Sequence, residues 1–112
     1  MKDYLLLFRG GLDFTKASPE QVQQVLMKWK GWIDELAKKG IYGGGQRVNR
    51  NEAAVVKGSA KQVIDGPYAG KEIVGGYISI KADNLQQAIE ISKDCPVLNF
   101  DGNIEIREVA KT

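Results

Sequence analysis

The sequence predicts an α+β fold, on three observations. A short apolar run, Tyr4-Leu5-Leu6-Leu7-Phe8-Arg9, stops at Gly10-Gly11, which suits a buried strand better than a helix. The stretch after Ser18-Pro19 repeats its apolar residues at spacings of three and four, the period of a helix. Residues 74–81 and 103–109 alternate with a period of two, as half-buried strands do.

Each element has its own signals. Ser18 can cap the free amides of the long helix, Pro19 suits its first position, and Gln21 can complete a capping box. Val22, Val25, Leu26, Trp29, Trp32, Ile33 and Leu36 form its apolar stripe, and Lys38-Lys39-Gly40 closes it. Gly31 weakens the interior by about 1 kcal/mol relative to alanine and is expected to let the helix approach the sheet. Ile41-Tyr42 opens a second strand, where Gly43-Gly44-Gly45 predicts a bulge or a close backbone approach. Residues 53–57 and 60–64 flank Gly58-Ser59, which reads as a two-residue hairpin turn. In residues 74–81, Val74, Gly76, Ile78 and Ile80 share one face and Gly75, Tyr77, Ser79 and Lys81 the other. Asp83 and Gln86 repeat the capping-box pattern before a shorter helix with Leu85, Ala88, Ile89 and Ser92, ended by Pro96.

The order is β-α-β-β-α-β with an inserted strand or hairpin, a ferredoxin-like antiparallel sheet with two helices on one face. The opposite face is expected to carry Val56, Val63 and Tyr77 and is not uniformly polar. Two copies packed sheet to sheet would bury it, so a homodimer is expected.

Composition narrows the function. At 112 residues the chain suits one domain, residues 1–112. A net charge of +2 without a Lys/Arg block argues against direct nucleic-acid binding. No apolar run approaches the roughly 20 residues of a membrane span. The N-terminus has a short apolar run and no cleavage site, so it does not read as a signal peptide. Cys95 is the sole cysteine, which suits a cytoplasmic setting. There is no histidine, so the commonest general base and metal ligand is lacking; no metal and no cofactor are expected.

The densest chemistry lies in Asp65-Gly66-Pro67-Tyr68, Lys71-Glu72 and Gly75-Gly76-Tyr77. These motifs, with Tyr4-Leu5-Leu6-Leu7, Ser18-Pro19-Glu20 and Ile104-Glu105-Ile106-Arg107, resemble the YCII-related (DGPF) domain family over nearly the whole chain. Two features depart from its pattern: Tyr68 stands where phenylalanine is usual, and the loop before the double glycine is about one residue short, with Gly70 in place of an acidic residue. The resemblance implies a dimeric α/β barrel of two ferredoxin-like units. It also implies enzymatic relatives that use a His–Asp pair, a dehydrochlorinase-like branch among them, and relatives linked to sigma-factor-like transcription regulators. The pair cannot be carried over to a chain without histidine.

The candidate residues read two ways. Asp65 is either a general acid or base at a pocket mouth or a turn-forming carboxylate bonded to backbone amides. Lys71 and Glu72 point to opposite faces in extended structure: either Lys71 is a second proton-transfer group or binds an anion and Glu72 is a ligand-binding residue, or the pair are solvated charges. Tyr68 and Tyr77 either line a ligand pocket or pack at an interface. Of Arg9, Arg47 and Arg107, each pairs with a residue such as Glu105 or Glu108, or binds a carboxylate ligand; Arg47 is the candidate anion anchor. Trp29 and Trp32 fit the core stripe, with a ligand slot between helix and sheet as the alternative. Cys95 reads as a buried, unreactive thiol. The expected functions are binding of a small anionic ligand at the helix–sheet or dimer seam, a proton-transfer or elimination enzyme, or a dimeric module accessory to a transcription regulator.

Overall fold

Strand β1 (Lys2–Arg9) carries the core of the fold because its alternation is one-sided in bulk: Tyr4, Leu6 and Phe8 are buried, while Leu5, Leu7 and Arg9 are only partly covered. The computed structural model describes residues 1–49, 52–67 and 73–111. After β1 come α1 (Pro19–Lys38), β2 (Tyr42–Arg47), the hairpin β3 (Ala54–Lys57) and β4 (Gln62–Asp65), β5 (Val74–Ala82), α2 (Leu85–Ser92), a 3₁₀ helix (Pro96–Phe100) and β6 (Asn103–Glu108). The main sheet runs β2-β5-β1-β6 with every pair antiparallel. Together with helices packed on one face this is an α+β architecture compatible with a ferredoxin-like fold.

That helix-covered face holds the core. Tyr4, Leu6 and Phe8 of β1 meet Ile78, Ile80 and Ala82 of β5, Trp32 and Leu36 of α1, and Ala88 of α2 in one cluster. Burial of each large apolar side chain contributes about 1.5–3 kcal/mol. Most of the α1 stripe faces inward as the spacing predicts, with Val25, Trp32 and Leu36 buried; Leu26, which the spacing also places in the stripe, is exposed. Ser18 caps the helix, its Oγ accepting from the Gln21 amide at 3.1 Å, and Gly40 leaves it at φ +72°. Gly31 is different. It is exposed, and a Cβ there would meet open space, so its helix-weakening effect is not offset by a closer approach to the sheet.

The glycine run in β2 forms the expected bulge: Tyr42 pairs with Ile80 and Gly45 with Ile78, leaving one extra residue on β2. The cap of α2 falls one residue later than the sequence suggests. Asn84 Oδ1 accepts from the Gln87 amide at 2.9 Å, and Gln87 Oε1 accepts from the Asp83 amide. Asn84 takes the extended cap conformation, which moves the reciprocal pair from Asp83/Gln86 to Asn84/Gln87. α2 ends at Ser92, and Pro96 opens the 3₁₀ helix instead of terminating α2.

The inserted hairpin also differs in two ways. Pairing of Val55 with Ile64 and Val56 with Val63 leaves residues 58–61 as the turn, with Gly58 at φ +68° and Lys61 at φ +56°. The turn is therefore four residues long, closed by a Lys61 amide bond to the Gly58 carbonyl. The hairpin forms its own two-stranded sheet, so Val56 and Val63 do not lie on the open face of the main sheet. They are 66% and 65% exposed on the hairpin itself. A radius of gyration of 15.4 Å, against about 13 Å for a compact chain of this length, records a molecule that is not fully drawn in. Among the described residues, no helix is long and apolar enough to cross a membrane.

Candidate functional site

The chain leaves β1 through two glycines at positive φ, Gly10 at +72° and Gly11 at +84°. This turn seats the next loop against the 3₁₀ helix. A Cβ on Gly11 would lie 2.9 Å from Val97 Cγ2, and one on Gly102 would lie 2.5 Å from the Val97 carbonyl oxygen. Asp13 then organises the loop: its Oδ1 accepts from the Thr15 amide at 2.9 Å and from the Thr15 hydroxyl at 2.6 Å. Phe14 lies between these two residues.

The loop, α1 and the helix side of the sheet line an open-sided cavity of about 610 Å³. Phe8, Gly45, Gly76 and Ile78 contribute to its sheet wall, Val25, Leu26, Trp29 and Ile33 to its helix wall. Leu12 and Phe14 from the loop, with Val97 and Phe100, face them. Phe8, Trp29 and Trp32 pack edge to face, with centroids 5.0 Å apart for Phe8–Trp29 and 5.7 Å for Trp29–Trp32. Trp29 is therefore both part of the α1 stripe and a cavity wall, whereas Trp32 belongs to the buried core.

Arg47 lines this cavity from the end of β2. It pairs with Gly76, and the missing side chain there lets β2 close in: a Cβ on Gly76 would lie 2.9 Å from the Gln46 carbonyl oxygen and 3.3 Å from Arg47 Cα. The Arg47 guanidinium stands 5.0 Å from the centroid of the Phe14 ring. Among the described residues it has no ion pair and no hydrogen bond. Asp13 is the other charged residue among the described lining residues.

The remaining candidates separate. Tyr77 borders the same cavity, but strand alternation between buried Gly76 and Ile78 turns its ring toward the open sheet face, where it is 38% exposed. Asp65 ends β4 on the hairpin, exposed and paired through its backbone with Ala54, and it does not line the cavity. Among the described residues its carboxylate bonds no backbone amide; the amides from Tyr68 on, which a turn at Asp65 would use, lie outside the described residues. Tyr68, Lys71 and Glu72 lie outside the described residues.

Arg9 and Arg107, the other two candidate arginines, serve the open face. Arg9 meets Glu105 at 2.7 Å and Arg107 meets it at 3.1 Å. Hydrogen bonds from Arg9 first, then Arg107, hold the Glu105 carboxyl below its ordinary pKa. Glu108 is taken by Lys2 at 3.2 Å instead. Loop residues Leu12 and Phe14, and Phe100 of the 3₁₀ helix, are cavity residues that sequence reasoning passes over. The one signal that marks them is apolar side chains in segments without helical or strand period.

Cys95 lies apart from the cavity, 2% exposed, and burial pushes its thiol up to about 12. The native thiol is expected to resist iodoacetamide at pH 8 for hours and to react fully in denaturant, as mass spectrometry would record. The unfolded thiol ionises near its ordinary value while the folded one stays protonated, so this group's contribution to stability falls as pH climbs from about 9 toward 12.

Among the described residues, no group of three or more His, Cys, Asp or Glu side chains is placed to hold a metal ion. No curated protein matches the chain. The family model of the YCII-related domain matches residues 8–112, nearly the whole chain, and with this sheet, helices and motif order the chain belongs to the YCII-related domain family.

Proposed function

We propose that this chain is a small-molecule-binding module of one domain, residues 1–112, working as a homodimer and taking a small anionic ligand into the cavity between α1 and the sheet. One observation carries the reading: a cavity of about 610 Å³ with mostly apolar walls has, on its lining, a guanidinium with no anionic partner among the described residues. A planar guanidinium held against a ring keeps its in-plane N–H groups available to a carboxylate. Arg47 is the anion anchor in this reading, and Tyr77 is assigned to the cavity border. Tyr68, Lys71 and Glu72 remain proposed contributors from the same motif. Asp65 lies outside the cavity, so no proton transfer is assigned to it.

The dimer rests on the open face of the sheet. Leu5, Leu7 and Tyr77 sit at its middle, and ion pairs border them: Arg9–Glu105–Arg107 on one side and Lys81–Asp3, 3.0 Å apart, toward the strand ends. An apolar centre inside a charged rim is the composition of a protein–protein contact. Sheet-to-sheet pairing of two copies would give the dimeric α/β barrel.

Two measurements test the reading. Calorimetric titration with decanoate and benzoate is expected to give binding near one per chain that weakens about tenfold in Arg47→Ala. Light scattering is expected to report twice the chain mass, and Leu7→Asp is expected to return it to the chain mass. Absence of any carboxylate binding sinks the ligand assignment, and a monomer at working concentration sinks the dimer.

A further inference from the structure

The chemistry of the cavity wall narrows the ligand. Phe8 and Trp29 pack edge to face with centroids 5.0 Å apart, and on the same lining the Phe14 ring centroid lies 5.0 Å from the Arg47 guanidinium. Tyr42 and Phe100 add two further rings to the same lining. Beside Phe8 the sheet wall presents Gly45 and Gly76, whose Cβ positions are already occupied by the neighbouring strand, so this part of the wall is backbone without side chains. Rings on several sides and a bare strip of sheet between them favour a flat ligand body over a flexible one. A rigid ring system also loses less conformational freedom on binding than a chain of equal size.

The charge narrows it further. Arg47 supplies the positive charge among the described lining residues. A ligand with a carboxylate can place it on Arg47 and keep its remaining surface among the rings.

We infer that the cavity selects flat, fused-ring aromatic carboxylates over aliphatic acids of equal size. The inference rests on the proposed anion-binding reading and names the ligand class of that same site.

The test compares three probes on the wild-type chain by calorimetry, with tryptophan fluorescence as the second readout because Trp29 lines the cavity. The probes are 2-naphthoate, decanoate and 2-naphthalenemethanol. 2-Naphthoate is expected to bind about tenfold tighter than decanoate, the size of an aromatic contact beyond equal buried area. It is expected to bind about tenfold tighter than the neutral alcohol, and this second advantage should disappear in Arg47→Ala while the alcohol's affinity stays the same. Decanoate equal to or tighter than 2-naphthoate, with both weakened by Arg47→Ala, overturns the aromatic selection and leaves the anion-binding reading in place. Absence of binding by every acid overturns this inference and the reading beneath it together. Arg47→Ala alters an exposed side chain, and the three-probe ranking on the unaltered chain needs no variant to fold.

Discussion

Leu6→Ala is expected to lower the stability of the chain by about 2–5 kcal/mol, the range for deleting a fully buried leucine. Leu6 has no exposed surface and sits mid-sheet, paired with Ile78 on one side and Ile106 on the other. Its neighbours are strands held by their own ladders and cannot collapse readily into the space. The effect therefore belongs in the upper half of that range. Urea unfolding would read it as a fall in midpoint with an unchanged slope, since the surface exposed on unfolding hardly differs. A loss below about 1 kcal/mol would mean that β1 is not the central buried strand, because exposed positions rarely cost more.

Gly45→Ala is expected to have the second largest effect, about 1–3 kcal/mol, the range for forcing extra volume into a packed site. A Cβ at Gly45 would overlap the Tyr77 carbonyl oxygen and would lie 2.6 Å from Ile78 Cγ2 and 2.8 Å from Ile78 Cα. Two of these three atoms are backbone and cannot rotate away. The bulged end of β2 must shift instead, and Arg47, two residues on, shifts with it. Carboxylate affinity should therefore fall alongside stability, which would distinguish this variant from Leu6→Ala. By contrast, Gly44→Ala meets open space and costs only the strain of its positive φ. Unchanged carboxylate affinity in Gly45→Ala would break the link between the bulge and the position of Arg47.

Much of the scaffold could be read from residue order because local and long-range signals agree. The Ser18 cap, the α1 stripe and the glycine bulge in β2 each follow from a single mechanism, and the structure contains all three. The hairpin was harder. A strand register depends on which cross-strand pairs form, and Val55–Ile64 and Val56–Val63 pairing consumes two more turn residues than the Gly58-Ser59 signal suggests. The cavity was less legible still. Arg47 and Trp29 are named by their chemistry, but what joins them to Phe14 and Phe100 is a tertiary contact, the packing of Gly11 and Gly102 around Val97. No periodic pattern encodes that meeting of two glycines and a valine. Asp65 stands apart from that cavity: its backbone closes the ladder of the hairpin, and it is not among the lining residues.

The hairpin of β3 and β4 has a practical consequence. Its tip, residues 58–61, is exposed, and neither of its strands bonds to the main sheet. An epitope, fluorophore or tether placed at Ser59 would therefore sit on a natural handle, well separated from the Leu6 layer that holds the chain folded.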